Sequence, residues 1–98
     1  MDGFYDYLQG YCLDENAQNP QRMCKTANLS TCFEECNDRA ECEAMEFSYV
    51  GERTQCCVSG RNLACNYSDG FGMCMGNGGE ITQGSGWASA FCYVKGGR

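Results

Sequence analysis

The chain has 98 residues, a formal net charge of −6, 10 cysteines and no histidine. Its acidity argues against nucleic acid and anionic membrane surfaces, which attract basic patches, and no run of about 20 apolar residues could insert into a membrane. Zinc sites built from cysteine usually contain C-x2-C pairs, often completed by histidine. The chain has no C-x2-C spacing and no histidine. An even number of scattered cysteines favours disulfides, hence a secreted, extracellular protein without a metal or other cofactor.

The N-terminal third predicts one strand followed by a loop. The segment "GFYDYLQGYCLD" has aromatic residues at positions 4, 5, 7 and 11 and predicts a strand that enters the core. The polar stretch that follows contains the only proline and predicts a loop over residues 14–29. A second long loop is predicted over the glycine-rich residues 60–86, where two cysteines would hold it in place.

A short helix is predicted after the first loop. Thr31 and Glu34 fit the T-x-x-E capping box, which places the helix start at this threonine or the serine before it. Cys32, Cys36 and Ala40 recur every four residues, so we expect them on one helical face.

From residue 42 the pattern changes to a period of two and predicts strands. One face of the first strand would carry Met45, Phe47 and Tyr49, and the other Ala44, Glu46 and Ser48. "VGER" can turn the chain, and "TQCCVS" returns as the second strand of a hairpin. The neighbours Cys56 and Cys57 point to opposite faces of that strand and should take different partners. "ASAFCYVK" alternates again and predicts a closing strand.

This combination resembles the PAN/apple domain family: C-x3-C on a helix, a cysteine opening a strand, and another cysteine on the returning strand. The core motif covers residues 29–58, and "GYCLD" and "AFCYVK" extend the resemblance over most of a single domain, 1–98. The resemblance implies an α+β, disulfide-rich module in which one short helix packs on a curved antiparallel β-sheet. The long glycine-rich loop has no counterpart in the family pattern.

The resemblance also implies a set of disulfides. Carried over by position, it gives Cys36–Cys42, Cys32–Cys56 and Cys12–Cys92. Cys32–Cys57 is the alternative if the strand register shifts by one residue. The cysteines outside the family pattern allow three pairings, of which we favour Cys24–Cys57 with Cys65–Cys74.

The family resemblance implies a module that recognises carbohydrate or protein ligands. The candidate binding residues are aromatic and polar side chains of the glycine-rich region: Trp87, Tyr67, Phe71, Asp69 and Asn77, with Asn66 as a further amide. Alternatively, Trp87 and Phe71 hold the loop on the sheet as core residues. Asn28 and Asn66 begin N-x-S triplets and are candidate glycosylation sites. A glycan on Asn66 would lie beside the predicted platform and block it.

Catalysis is not expected, because the commonest general base, histidine, is absent. Glu41, Glu43 and Glu46 are predicted as solvated side chains around a strand rather than as an acid–base pair. Ser85 and Ser89 have no base beside them in the sequence. The alternative function is a structural subunit of an extracellular fibre, sheath or coat that self-associates through strand edges. A secreted signalling ligand or toxin is a third possibility.

Overall fold

The computed structural model describes residues 4–63 and 70–96 and shows a helix packed on an antiparallel sheet. The strands are β1 (Phe4–Gln9), β2 (Cys12–Leu13), β3 (Arg22–Thr26), β4 (Ala44–Val50), β5 (Arg53–Ser59), β6 (Gln83–Gly84) and β7 (Ala90–Gly96), and the helix α1 is Leu29–Asn37. For the described residues, the predicted α+β class with one short helix on an antiparallel sheet is confirmed.

The main sheet has the strand order β1-β7-β4-β5-β3, and all neighbours are antiparallel. The closing strand β7 therefore lies inside the sheet, between β1 and β4. β2 and β6 form a separate two-stranded ribbon. β1 and β3 are the two edges of the main sheet, about four strand spacings or roughly 19 Å apart.

The predicted hairpin is formed by β4 and β5, whose register pairs Met45 with Val58 and Phe47 with Cys56. Gly51 occupies the turn with a φ of +65°. This left-handed conformation has no steric cost for glycine, which explains why the turn falls at this position. The hairpin lies at the centre of the sheet and carries the helix above it.

The helix begins earlier than the predicted capping box of Thr31 and Glu34. Its N-cap is Asn28, whose Oδ1 accepts a hydrogen bond from the backbone N–H of Thr31 at 2.8 Å. Asparagine is among the strongest N-cap residues because its short side chain reaches these unpaired amides. The predicted start is therefore wrong by one or two residues.

The helix also ends earlier than the four-residue repeat predicts. Its last residue is Asn37, and Ala40 is exposed in the turn that follows, so Ala40 does not share the face of Cys32 and Cys36. Lys95 of β7 donates from Nζ to the carbonyl oxygens of Cys36 at 2.8 Å and Arg39 at 3.1 Å. A cation at the helix C-terminus stabilises the exposed carbonyls there.

Part of the predicted loop 14–29 is a strand. β3 pairs with β5, and its Met23 is fully buried opposite Val58. Met23 and Cys24 are the only apolar residues of this five-residue strand, so its alternation is too short to detect in the sequence. On the outer side of β3, the backbone N–H of Arg22 donates to the carbonyl of Met75, and the reverse bond also forms, both at 2.7 Å. The glycine-rich segment therefore covers this edge.

Disulfides fix the helix and the ribbon to the sheet. The structure contains the pairs Cys12–Cys92, Cys24–Cys57, Cys32–Cys56 and Cys36–Cys42, which are the pairs favoured above for these cysteines. Cys24 and Cys57 face each other in adjacent strands, whereas Cys32 and Cys36 connect α1 to β5 and to the segment before β4. Cys65 lies outside the described residues, so Cys65–Cys74 stays a prediction.

The two faces of the main sheet have different covers. On the helix face, α1 packs over a core that includes Met23, Met45 and Val58. On the reverse face, the β2–β6 ribbon and its flanking loops cover a smaller cluster of Cys12, Ala44, Ile81 and Cys92. The ribbon approaches β1 so closely that a Cβ on Gly84 of β6 would lie 2.1 Å from the carbonyl oxygen of Gln9 in β1.

Candidate binding surface

Two members of the predicted platform, Trp87 and Phe71, do not share one surface. Phe71 is only 3% exposed and packs in the helix-face core. The backbone N–H of the next residue, Gly72, donates to the carbonyl of Cys24 on the β3 edge. Trp87 is 60% exposed and lies at the other edge, where its carbonyl accepts from Nε2 of Gln9 in β1 at 2.8 Å. Phe71 is therefore a core residue, which is the alternative stated for it above.

The remaining predicted site residues are dispersed or outside the described part of the chain. Asn66, Tyr67 and Asp69 lie outside the described residues. Asn77 is exposed beside a polar depression that also includes Asp14. Asn77 is near the β3 side of the molecule, because Gly78 bridges to Pro20, so it does not lie beside Trp87.

The carboxylate of Asp14 ties two loops together. It accepts hydrogen bonds from the backbone N–H groups of Asn16 at 2.8 Å, Gln18 at 2.9 Å and Gly79 at 2.8 Å. The N–H groups of Gly79 and Gln18 hold the pKa of this carboxyl below its usual range. Asp14 therefore joins the loop after β2 to the glycine-rich segment over the reverse face.

The structure brings together a different group of aromatic side chains, on the helix face of β1, β7 and β4. We call Tyr7, Tyr49, Phe91 and Tyr93 the aromatic strip. Cross-strand partners share a face, and the register pairs Tyr7 with Tyr93 and Phe91 with Phe47. The alternation of the three strands thus places these rings side by side.

The rings of the aromatic strip are in contact with one another. The centroid distances are 5.4 Å for Tyr7–Tyr93, 6.1 Å for Tyr7–Phe91 and 6.2 Å for Tyr49–Phe91. Tyr49 also meets the buried Phe47 edge to face at 5.6 Å. Such contacts are typical of aromatic pairs and hold the rings in fixed orientations.

The aromatic strip is open to solvent because the helix is too short to cover it. α1 has nine residues, which is about 14 Å of helix. Its Phe33 reaches Tyr93 at 5.1 Å and Tyr5 at 4.9 Å and marks the limit of the cover. Beyond Phe33, Tyr7 is 48% exposed and Tyr49 is 54% exposed.

Polar groups border the aromatic strip at its β1 end. The hydroxyl of Tyr7 donates to Oε1 of Gln9, and Nε2 of the same amide donates to the carbonyl of Trp87. Burial, together with the nearby hydroxyls of Tyr7 and Tyr49, raises the pKa of Tyr93. The Tyr93 hydroxyl therefore stays protonated and able to donate a hydrogen bond well above neutral pH.

The sequence contained part of this signal. The period of two in the hairpin had already placed Tyr49 on the same face as Met45 and Phe47. What the sequence does not contain is the extent of the helix above that face, which decides whether these rings are core or surface. For this reason the sequence does not predict the aromatic strip, and its pattern favours the aromatic residues of the glycine-rich region instead.

The acidic residues near β4 have different environments. Glu46 is 1% exposed, forms an ion pair with Arg22, and accepts from the backbone N–H of Cys12 at 2.8 Å. Burial raises the pKa of Glu46, although Arg22 and the amide oppose that shift. The expectation that Glu46 is solvated is therefore wrong. Glu43 pairs with Nε of Arg61 at 3.2 Å, and Glu41 is half-buried.

Within residues 4–63 and 70–96, no group of three or more acidic, cysteine or histidine side chains has an arrangement that could hold a metal ion. No helix in this part of the chain has the length and apolar character needed to cross a bilayer. No protein-family model matches the sequence, and neither curated proteins nor solved structures give a match.

Proposed function

We propose that this protein is a secreted, non-catalytic, PAN/apple-like module that binds carbohydrate through the aromatic strip. The observation that carries the proposal is an open row of mutually packed aromatic rings on a disulfide-fixed sheet. Exposed apolar surface of this kind, bordered by polar groups, is typical of recognition sites.

The shape and chemistry of the aromatic strip favour a sugar over a deep-pocket ligand. A pyranose ring has an apolar C–H face that packs on an aromatic ring and hydroxyls at its edge that need hydrogen-bond partners. Tyr7 and Tyr49 are half-exposed, and the Tyr7 hydroxyl lies at the β1 end of the strip, where it donates to the amide oxygen of Gln9. Tyrosine combines both properties in one side chain.

Rigidity of the scaffold supports binding at such an open surface. Ordering a flexible side chain on binding costs about 0.5–1.5 kcal/mol, and the ring contacts already restrict these side chains. The strip lies on three adjacent strands, and Cys12–Cys92 connects the central one of these, β7, to the ribbon. A preorganised surface therefore loses less entropy when a ligand binds.

The disulfides support an extracellular setting, because such bonds persist in oxidising compartments. The PAN/apple-like assignment is supported by the two bridges that join a C-x3-C helix to the hairpin region, Cys32–Cys56 and Cys36–Cys42. A non-catalytic role is supported by the carboxylates, since Glu46 and Glu43 are both engaged by arginine side chains.

A glycan array probed with the oxidised protein tests the proposal. We expect Tyr7→Ser and Tyr49→Ser to lose at least about tenfold in affinity for any retained glycan, equivalent to about 1.4 kcal/mol, without loss of the folded circular-dichroism spectrum. Met73→Ser is the matched control, since Met73 is an exposed apolar residue on the glycine-rich segment. Trp87→Ala is expected to lose binding as well, because Trp87 borders the strip.

Absence of binding to every glycan, or equal affinities for the tyrosine variants and the parent protein, would refute the carbohydrate proposal. A result in which Trp87→Ala alone abolishes binding would move the site from the strip to the turn at residues 85–89. Unfolding of a tyrosine variant would instead assign its ring to the core, and the other tyrosine variant would then decide.

A second candidate, self-association into a fibre or coat, is favoured by one observation. The carbonyl of Gln9 accepts a hydrogen bond from the N–H of Gly86 and therefore faces away from β7. Backbone groups of alternate residues in a strand point to the same side. The N–H groups of Tyr7 and Tyr5 therefore also face the outer edge of β1. Tyr7→Pro and Tyr7→Ser both remove the ring, but only proline removes the outward N–H. Concentration-dependent light scattering that disappears in Tyr7→Pro and persists in Tyr7→Ser would establish edge pairing.

A further inference from the structure

The side chain of Asn28 has two ends with separate roles. Its Oδ1 caps α1 by accepting from the N–H of Thr31 at 2.8 Å and from Oγ of Ser30 at 3.2 Å. Its Nδ2 is the atom that N-glycosylation modifies, and Asn28 is exposed and begins the triplet Asn28-Leu29-Ser30. A sugar on Nδ2 is therefore compatible with the cap.

Hydrogen bonds to β5 connect the residue before this asparagine to one end of the aromatic strip. The backbone N–H of Ala27 donates to the carbonyl of Thr54 at 3.2 Å, and Oγ1 of Thr54 donates back to the carbonyl of Ala27 at 2.7 Å. Thr54 is the cross-strand partner of Tyr49. Directly opposed residues have Cβ atoms about 5 Å apart on the same face. Tyr49 therefore lies one strand spacing from Thr54, to which Ala27 is hydrogen-bonded.

Two exposed side chains with apolar surface, Leu29 and Tyr49, lie at the two ends of this connection. Leu29, the first helical residue, is exposed directly after Asn28, and the ring of Tyr49 is more than half exposed. No helix or loop in the described part of the chain covers either side chain fully. Sugars attached at Asn28 would have an apolar surface to pack against within their reach.

We propose that Asn28 carries an N-linked glycan whose first sugars pack on Tyr49 and occupy that end of the aromatic strip. In the transfer, Nδ2 of Asn28 forms a bond to the anomeric carbon of a lipid-linked oligosaccharide diphosphate. The bond from that carbon to the diphosphate oxygen breaks, the lipid diphosphate leaves with its electron pair, and Nδ2 loses one proton to a base of the host transferase. The glycan then shields a ring that is otherwise open to solvent.

The consequence for ligand binding rests on the proposed function of the strip. A glycan that covers Tyr49 for part of the time lowers the apparent affinity for a second sugar by the fraction of molecules that remain open. Glycosylation of Asn28 would therefore set how strongly the module binds its ligand. The shielding of Tyr49 itself does not depend on what the strip binds.

The test uses secreted protein from a glycosylating eukaryotic host, in an Asn66→Gln background that leaves one N-x-S triplet. Asn28→Asp removes the glycan but retains a capping oxygen, since aspartate is an equally good N-cap. Ser30→Ala removes the glycan while Asn28 is kept. Peptide mass spectrometry reports glycosylation, and nitration of exposed tyrosines by tetranitromethane reports the accessibility of Tyr49.

We expect a glycan mass on the Asn28 peptide and nitration of Tyr49 that is about fivefold slower than in either glycan-free variant, as for a ring covered about four-fifths of the time. Nitration of Tyr7, at the far end of the strip, should be unchanged. An unmodified Asn28 peptide overturns the proposal, and so does equal nitration of Tyr49 in glycosylated and glycan-free protein.

The glycan-array experiment is done separately, on glycan-free Asn28→Asp protein. Failure of the array with slowed nitration of Tyr49 would refute the carbohydrate-binding function and leave the shielding proposal standing. Binding on the array with unchanged nitration of Tyr49 would refute the shielding proposal and leave the carbohydrate-binding function standing. The two proposals therefore fail on different measurements.

Discussion

The two faces of the main sheet are covered by different kinds of structure. The helix face is covered by apolar packing under a nine-residue helix, and the cover stops where the helix stops. The reverse face is covered by loops and a short ribbon held by specific polar groups, among them the Glu46–Arg22 pair and the carboxylate of Asp14. Helix length thus decides what is exposed on one face, and individual side chains decide it on the other.

This difference indicates where the molecule can change without loss of its fold. On the reverse face, removing one partner leaves a buried charge or amide unpaired, which is costly. On the helix face, the open rings of Tyr7 and Tyr49 can vary with little effect on packing, since about half of each side chain is already in water. A surface that varies while the scaffold is preserved suits recognition.

The largest expected effect compares one disulfide on each face. Cys12–Cys92 closes a sequence separation of 80 residues and Cys36–Cys42 one of 6. In the chain-entropy model, replacing both cysteines by alanine lowers the free energy of unfolding by about 4.5 kcal/mol for the first pair and about 2 kcal/mol for the second. Urea unfolding without reductant measures both losses. Equal losses would show that local packing, rather than loop closure, dominates.

The next largest effect tests the buried charge on the reverse face. Arg22→Met leaves Glu46 buried without its partner, and we expect the free energy of unfolding at pH 7 to fall by about 3 kcal/mol. Arg53→Met, at an exposed hairpin position, is the control and should change stability by no more than about 0.5 kcal/mol.

The pH dependence of the same variant gives the sign of the effect. A carboxyl whose pKa is raised in the folded state favours the fold when protonated, and that contribution is lost as the pH rises through the folded-state pKa. The deficit of Arg22→Met should therefore be smaller at pH 4 than at pH 7. A deficit that does not depend on pH would mean that lost packing of the arginine, not the unpaired carboxylate, is the cause.

A smaller effect is expected at the start of the helix. In glycan-free protein, Asn28→Ala removes the N-cap and should lower the free energy of unfolding by about 1 kcal/mol, whereas Asn28→Asp should lower it by no more than a few tenths of a kcal/mol. Thermal unfolding followed by circular dichroism distinguishes these outcomes. Equal losses in the two variants would show that the capping oxygen does not stabilise the helix.

The smallest effect concerns the loops over the reverse face. The pKa of Asp14 is lowered, so its stabilising contribution is present above the unfolded pKa, near 4, and is lost as the pH falls through the folded-state value. The amide introduced by Asp14→Asn has one acceptor oxygen and cannot accept all three hydrogen bonds. We therefore expect this variant to be less stable than the parent protein at pH 7. We also expect it to lose less stability than the parent protein on acidification. Urea unfolding at pH 7 and pH 3 measures both, with Glu15→Gln, at the exposed neighbouring position, as the control. An unchanged acid transition in Asp14→Asn would contradict this role.

Much of the fold could be predicted from the sequence, because β4, β5 and β7 alternate clearly and the turn residues between β4 and β5 are distinct. β3 could not, since two apolar residues in five give no usable period. The N-cap was placed at the wrong residue because Asn28 and Thr31 both suit a helix start, and only the backbone decides between them.

The candidate site was harder to predict because it depends on relations between distant elements. Phe71 and Trp87 have similar sequence surroundings, yet one is buried at the β3 edge and the other is exposed near β1. Glu46 is surrounded in sequence by residues that suit a solvated strand, and its partner Arg22 is 24 positions away. Local patterns carry no information about such pairings.

The central position of β7 has a consequence for synthesis. β1 pairs with β7 alone within the main sheet, and β7 is the last of the described elements to leave the ribosome. The aromatic N-terminal strand must therefore wait for nearly the whole described chain before it finds its neighbour, and contacts this distant in sequence form slowly. Until then its unpaired edge is exposed to other nascent chains, which is a state that chaperones protect.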